Sequence, residues 1–158
     1  LTAHLVSDTL RAHAVPVQTP APIAAARSEI DHHFGLGDLV AIERSLAEAT
    51  GPWAAATLAT LRHQSPLMMA VTLEQVRRAR AMSLADDLRM ERDLVRHCFH
   101  LRPGTASETV EGIRALAVDK DHAPRWNPTA AADVTPAMVQ AFFESPWPAW
   151  AHPLAQLR

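Results

Sequence analysis

Residues 111–128 read EGIRALAVDKDHAPRWNP, and this stretch decides how the whole chain is interpreted. Its first half predicts a helix that runs into the tripeptide Asp-Lys-Asp at 119–121. A tryptophan, Trp126, then lies between Pro124 and Pro128. Because proline locks φ and lacks an N–H group, two prolines this close together prevent the helix from continuing. The stretch therefore predicts a helix that ends in a charged loop of restricted conformation.

Composition places the 158-residue chain among ordinary globular proteins, with 48% hydrophobic and 20% charged residues. The formal net charge of −2 gives no general electrostatic case for binding nucleic acid or an anionic membrane surface. No apolar run approaches the roughly 20 residues needed to span a bilayer, and the first ten residues show no secretory pattern. The single cysteine, Cys98, excludes an internal disulfide. These observations predict a cytoplasmic protein.

Helix signals recur along the chain, whereas strand signals are nearly absent, since tyrosine is missing and β-branched residues are scattered. Serine, threonine or aspartate followed by proline or an apolar run marks most of the predicted helix starts. The pattern predicts an all-α fold with helices over 2–12, 23–33, 38–49, 52–63, 65–81, 83–99, 107–118 and 135–144. Gly35 is placed to end the second of these helices.

The distribution of proline divides the chain into four predicted segments. An N-terminal helix occupies 1–14, and 15–22 forms a linker that contains three prolines. A helical domain follows over 23–144. The tail over 145–158 has three prolines and two tryptophans, and we expect it to be irregular.

Several short motifs occur in a fixed order along residues 23–143 and end with D-K-D-x-x-P-x-W-x-P at 119–128. They are Ile30-Asp-His-His-Phe34, Ser65-Pro66, Thr72-Leu73-x-Gln75, Ser83-Leu84, Met90-Glu91-x-x-Leu94, Cys98 and Glu111-Gly112. In content and spacing this series resembles the C-terminal part of the crotonase (enoyl-CoA hydratase/isomerase) superfamily. Its last motif is most similar to the 3-hydroxyisobutyryl-CoA hydrolase branch. Residues 101–109 depart from the family, which more often has a shorter turn there.

The resemblance implies a multi-helix C-terminal segment of a crotonase-like fold that lacks the N-terminal α/β core. That core would supply the oxyanion N–H groups and the catalytic acid, so we expect no catalytic residue in this chain and no activity from it alone. The chain would cover the acyl-CoA site and make subunit contacts in an oligomer. Its partners would be an N-terminal core portion or chain and the acyl-CoA substrate, with coenzyme A present only as part of that substrate.

The resemblance also assigns candidate CoA-binding residues. Lys120 matches the position of a lysine that contacts CoA in the family, apart from a one-residue offset from the hydratases. Its alternative role is an ion pair with Asp119 or Asp121. Arg125 could face a phosphate or be a solvated side chain. Trp126 could stack on adenine or cover the CoA groove, or it could anchor the loop against the helical domain.

The predicted helix over 83–99 carries an apolar stripe in which Leu84, Leu88, Val95 and Cys98 recur at helical spacing. Glu91 falls within the same stripe, which predicts a buried carboxylate. Because an isolated buried charge is costly, we expect an ion pair with an arginine such as Arg114. The alternatives are a role near the active site or a role as the catalytic carboxylate itself, which the family places in the core.

Metal and nucleophile chemistry find little support in the sequence. Neither His97-Cys98-x-His100 nor His32-His33 has the second ligand pair that a structural zinc site requires. No G-x-S-x-G or Walker-type motif is present.

Two alternatives to a portion of an enzyme stay open. One is a non-catalytic helical interaction module derived from the crotonase fold, and the other is an unrelated all-α ligand-binding domain.

Overall fold

The computed structural model describes residues 3–15 and 21–158, and within those ranges the chain forms helices and turns without a strand. The predicted all-α fold class is confirmed. The α-helices are α1 (Ala3–Ala12), α2 (Pro22–Ala25), α3 (Arg27–Phe34), α4 (Leu39–Glu48), α5 (Pro52–Leu61), α6 (Pro66–Ala79), α7 (Leu84–His100), α8 (Glu108–Ile113) and α9 (Pro136–Gln140). Short 3-10 turns cover Gly104–Ala106, Ala131–Asp133, Ala141–Phe143 and Ala149–Ala151, and a π-helical turn covers Arg114–Val118.

The chain divides into two compact units, Leu1–Gly35 and Leu36–Arg158. In the first unit, the single helix predicted over 23–33 is wrong, because α2 and α3 are separate helices. Ala26 lies between them at φ −88° and ψ 6°, well away from the helical ψ of about −42°. Most of the predicted linker, residues 16–20, falls outside the described residues. The predicted domain boundaries therefore stay a prediction.

Side-chain caps define the starts of five helices in the second unit. At each start a side-chain oxygen accepts a hydrogen bond from a backbone N–H three residues later, which satisfies one of the free donors of the first turn. The cap residues are Asp38, Ser65, Ser83, Ser107 and Thr135. The cap of α8 is Ser107, the first residue of the helix predicted over 107–118.

The second unit has two apolar clusters. One joins α4 and α5 through the buried side chains of Ile42, Leu46, Ala54 and Leu58. The other joins α6, α7 and the Ala141–Phe143 turn through Leu67, Val71, Met90, Leu94 and Phe142. Leu67 and Leu46 have at most 1% of their surface exposed. The helices α6 and α7 therefore pack together around the second cluster.

The buried face of α7 is not the face that the sequence predicts. Met90, Asp93, Leu94 and His97 are buried. Leu84 and Val95, which belong to the predicted stripe, are 74% and 56% exposed. The predicted burial of this stripe is wrong because α6 and the Ala141–Phe143 turn contact α7 from the side of Met90 and Leu94.

Two predicted helices also change their geometry near their ends. The helix predicted over 107–118 is α-helical only to Ile113. It then widens into the π-turn, in which the Asp119 N–H donates to the Arg114 carbonyl at 2.8 Å. The helix predicted over 135–144 ends as a 3-10 turn at Phe143.

The C-terminal tail is irregular apart from Ala149–Ala151, and it lies along α7. Arg89 donates through Nε to the Leu154 carbonyl at 3.0 Å and through a second nitrogen to the Leu157 carbonyl. The ring of Trp147 lies 5.1 Å and 5.3 Å from the guanidinium carbons of Arg92 and Arg96. This side of α7 therefore holds the tail by polar and cation–π contacts.

Candidate functional site

Arg114 organises the charged loop that follows α8. Its guanidinium forms a two-pronged pair with Glu111, with N–O distances of 2.9 Å and 2.7 Å. The same side chain donates to Asp119 at 2.6 Å, to Asp121 at 2.7 Å and to the Ala123 carbonyl at 3.1 Å. Guanidinium is suited to this role because its planar fork offers five N–H donors. One arginine therefore fixes both aspartates of the Asp-Lys-Asp tripeptide.

Glu111 is buried and fully occupied as an acceptor. Besides the Arg114 pair, its Oε1 accepts the Arg125 backbone N–H at 2.8 Å. The bonds from Arg114 and from that N–H lower the pKa of the Glu111 carboxyl from 4.5 to about 2. The hydrogen bonds with Glu111, Asp121 and Asp119 raise the pKa of Arg114. The pKa of Asp121 is lowered by the Ala123 N–H, which it accepts, and by Arg114.

Glu108, one turn earlier on α8, holds the next part of the loop. Its Oε2 accepts the Ser65 hydroxyl at 2.6 Å, and its Oε1 accepts the Asn127 N–H at 3.0 Å. Arg102 lies 3.7 Å from Glu108 and donates to the Asn127 carbonyl at 2.6 Å. Two buried carboxylates, Glu108 and Glu111, thus hold backbone N–H groups two residues apart. The loop segment between the two prolines is therefore attached to α8 through its backbone.

Trp126 lies between those two backbone bonds and is half-buried. Its indole Nε1 donates to the His63 carbonyl at 3.0 Å. A Cβ atom built on Gly112 would lie 3.2 Å from the edge of the ring, so glycine at this position lets the indole approach α8 closely. These contacts are those of the anchoring role that the sequence offered for Trp126. A contact of the ring with CoA stays a prediction.

Lys120 and Arg125 present exposed cationic side chains on this anchored loop. In the described part of the chain, Lys120 forms no ion pair, because both neighbouring aspartates are held by Arg114. The alternative expectation of a local ion pair for Lys120 is therefore wrong. Lys120 adopts φ 56° and His122 adopts φ 52°, the left-handed region that non-glycine residues rarely occupy. The charge of Lys120 is thus free to meet a ligand, and its role in CoA binding stays a prediction.

The predicted ion pair between Glu91 and Arg114 is also wrong. Glu91 is half-buried and accepts from the Gln75 side chain at 3.2 Å, whereas Arg114 is fully used by the loop. Glu108 and Glu111, which hold the loop, are not predicted from the sequence. A signal was available, since Glu111 and Arg114 lie three residues apart on one helix, where oppositely charged side chains meet.

His97 has a structural contact of its own. Its Nδ1 donates to the Phe142 carbonyl at 2.9 Å. Among the residues that the structure describes, no group of three or more histidine, cysteine, aspartate or glutamate side chains is arranged to hold a metal ion.

A groove lies between α4, α6 and α9, apart from the charged loop. It consists of two adjoining cavities of about 430 Å³ and 520 Å³, which share Leu39, Ala70, Pro136 and Val139 as lining residues. Such volumes lie in the range of small-molecule pockets.

Comparison with known proteins confirms the resemblance seen in the sequence. The family model described as enoyl-CoA hydratase/isomerase matches residues 2–143. The chain belongs to the enoyl-CoA hydratase/isomerase family. Its helices match the C-terminal helical part of the crotonase fold.

Curated relatives are named as hydrolases or as a ribosomal protein. The chain is 33% identical over 104 residues to probable 3-hydroxyisobutyryl-CoA hydrolase 2 of Arabidopsis thaliana, covering 66% of this chain and 27% of that protein. It is 31% identical over 115 residues to the mitochondrial 3-hydroxyisobutyryl-CoA hydrolase of Gallus gallus, covering 73% and 29%. It is also 33% identical over 118 residues to small ribosomal subunit protein mS47 of Arabidopsis thaliana, covering 72% and 28%.

Two solved structures share the arrangement of helices. An enoyl-CoA hydratase from Rhodobacter sphaeroides matches with a TM-score of 0.71 and 30% identity, covering 89% of this chain and 41% of that one. A carnitinyl-CoA dehydratase from Mycobacterium thermoresistibile matches with a TM-score of 0.72 and 33% identity, covering 97% and 42%. The chain thus spans under a third of the length of these curated relatives and about two fifths of the solved chains.

No helix among the described residues has both the length and the apolar character that crossing a bilayer requires. Three relatives, from Gallus gallus, Danio rerio and Rattus norvegicus, carry the word mitochondrial in their names. The predicted cytoplasmic location of this chain stays a prediction.

Proposed function

We propose that this chain is the helical C-terminal portion of a CoA-thioester enzyme, of the 3-hydroxyisobutyryl-CoA hydrolase or enoyl-CoA hydratase/isomerase type. It covers the acyl-CoA site and supplies cations to the CoA phosphates, while an N-terminal core portion supplies the catalytic residues. The observation that carries this proposal is the anchored loop, in which Arg114 holds both flanking aspartates and leaves the ammonium of Lys120 unpaired. Membership of the family supports the reaction class.

The chemistry of the ligand fits the charge of the loop. CoA carries a 3′-phosphate and a pyrophosphate, and phosphate oxygens form strong charge-assisted bonds with ammonium and guanidinium groups. Lys120 and Arg125 supply one group of each kind. Because Glu108 and Glu111 hold the backbone around Arg125, little conformational freedom of the loop remains to be lost when a phosphate binds. Trp126 contributes by keeping the loop against α8.

The chain alone should not turn over acyl-CoA, because its charged loop offers binding groups and neither an oxyanion hole nor a free acid. The test measures release of the CoA thiol from 3-hydroxyisobutyryl-CoA, and hydration of an enoyl-CoA, by the chain alone and together with an N-terminal core portion. We expect turnover only from the combination. Turnover by the isolated chain would contradict the proposal that the catalytic residues lie in the core portion.

Two variants test the phosphate contacts in the active combination. Lys120→Ala and Arg125→Ala should each raise KM for the acyl-CoA about tenfold with little change in kcat, since each removes one charge-assisted bond that is made in both the ground state and the transition state. Arg80→Ala, which changes an exposed arginine just after α6, is the matched control and should leave KM unchanged. Unchanged KM in both loop variants would refute the CoA role of the loop.

The similarity to mS47 supports a second candidate function, that of a non-catalytic helical interaction module. The printed name of that relative describes a ribosomal subunit protein and not an enzyme. In that case a core portion would join the chain without giving turnover of any acyl-CoA. The same turnover assay therefore separates the two candidates.

A further inference from the structure

One face of α7 carries apolar side chains that the rest of the second unit leaves exposed. Leu84, Leu88, Glu91, Val95 and Phe99 recur at helical spacing and form what we call the outer face of α7. Apart from Glu91, these residues are 36–74% exposed. A second side of the helix lies in the core at Met90 and Leu94, and a third holds the tail through Arg89, Arg92 and Arg96. A contiguous exposed apolar stripe of this kind normally marks an interaction surface.

Glu91 gives the outer face its chemical specificity. It is half-buried, it stands near the middle of the stripe, and its described partner is a neutral amide, the Nε2 of Gln75 at 3.2 Å. A surface that covered the stripe would remove this carboxylate from water. The covering surface must therefore offer a cation or further hydrogen-bond donors, because a desolvated and poorly paired carboxylate is strongly unfavourable.

This position of Glu91 argues against a second copy of the chain as the occupant. A two-fold pairing of two antiparallel α7 helices would bring the middle of one stripe onto the middle of the other. Glu91 would then face Glu91 of the second copy, and like charges in a desolvated contact disfavour association. The occupant is accordingly a different surface, and the curated relatives are more than three times as long as the segments that match this chain.

We propose that the outer face of α7 is the docking surface for the N-terminal core portion, and that this portion places a cation or hydrogen-bond donor opposite Glu91 within an apolar patch. The proposal rests on the proposed function, in which such a portion acts together with this chain. Beyond that function, the proposal names the face of α7 that binds the core portion and the kind of group that contacts Glu91.

To test this, a photoreactive amino acid is placed at Val95 of the full chain. The assembly is then purified from its source and illuminated, and the cross-linked peptide is identified by mass spectrometry. Ala59 of α5, an exposed residue on another helix, is the control position. We expect the probe at Val95 to cross-link a peptide of an N-terminal crotonase-type core, and the probe at Ala59 to give no such product. Cross-links from Val95 to copies of this chain alone, or to nothing, would overturn the proposal.

A charge-reversal variant tests the role of Glu91 independently. Glu91→Lys should weaken binding of the core portion at least tenfold, whereas Glu48→Lys, at the exposed end of α4, should leave it unchanged. Circular dichroism establishes that each variant keeps the helical content of the parent chain. If the core portion binds but Glu91→Lys has no effect, this inference fails and the proposed function stands. If no core portion accompanies the chain at all, the proposed function itself fails.

Discussion

His152 and Asp93 form a buried hydrogen bond of 3.1 Å across 59 residues of sequence. The Leu154 N–H donates to the Nδ1 of His152 at 3.0 Å, so Nδ1 accepts and the hydrogen that Asp93 receives lies on Nε2. The edge of the His152 ring also meets Trp147, with centroids 5.4 Å apart. This pair ties the end of the chain to the middle of α7.

The first prediction concerns this pair. His152→Ala should lower the free energy of unfolding by about 1–3 kcal/mol, because Asp93 would be left buried without its partner. Urea denaturation at neutral pH measures the change. His100→Ala, which alters an exposed histidine at the end of α7, should have an effect within about 0.5 kcal/mol. Equal effects of the two substitutions would show that the tail contact does not contribute to stability.

The second prediction concerns acid stability. The pKa of Glu111 falls from 4.5 to about 2 on folding. A carboxyl with a lowered folded-state pKa stabilises the protein fully above its unfolded value, and this stabilisation is lost as the pH falls from about 4.5 towards 2. Glu111→Gln should therefore flatten the dependence of the melting temperature on pH in that window, relative to the parent chain. Glu48→Gln serves as the exposed control, and parallel curves for all three proteins would contradict the prediction.

The third prediction tests the contact between α8 and Trp126. Gly112→Ala should destabilise the chain by about 1–3 kcal/mol, since the added methyl group would lie 3.2 Å from an indole that its hydrogen bond to His63 holds in place. Gly37→Ala is a matched control, because nothing lies within 4 Å of a Cβ at that position. In a Trp126→Leu background, Gly112→Ala should no longer destabilise, because alanine has the higher helix propensity. If Gly112→Ala still destabilised the chain by the full amount in that background, the added methyl group would clash with a residue other than Trp126.

The fourth prediction concerns the left-handed backbone of the loop. His122→Gly should raise the free energy of unfolding by about 1 kcal/mol, because glycine occupies φ 52° without the steric cost that a Cβ incurs there. His122→Ala keeps that cost and should give no gain. Thermal unfolding of the three proteins distinguishes these outcomes, and equal stability of the glycine and alanine variants would contradict the prediction.

The sequence predicted the features that depend on local chemistry. Ser65 and Ser83 begin helices because their hydroxyls cap the first turn, and proline at position 66 fits a first turn whose N–H would be unpaired. The order of short motifs predicted the family as well. These signals lie within a few residues of the structure that they determine.

Features that depend on the tertiary arrangement were not predictable in the same way. Periodicity shows that Leu84 and Val95 share a face of α7, but it does not say whether the covering surface belongs to this chain. The break at Ala26 has no strong signal, since alanine favours a helix. The partners of Arg114 depend on how the chain turns after the π-turn, which helical spacing does not describe.

The π-turn at Arg114–Val118 has a consequence for how this region can change. A wide turn contains one residue more than an ordinary helical turn, so removing a single residue there would close the turn to ordinary helical geometry and change where the chain after Val118 leaves the helix. Asp119 and Asp121 would then point away from the guanidinium that holds them. The length of this segment is therefore more tightly constrained than its amino-acid identities, and viable variants of the chain should differ here by substitution and not by insertion or deletion.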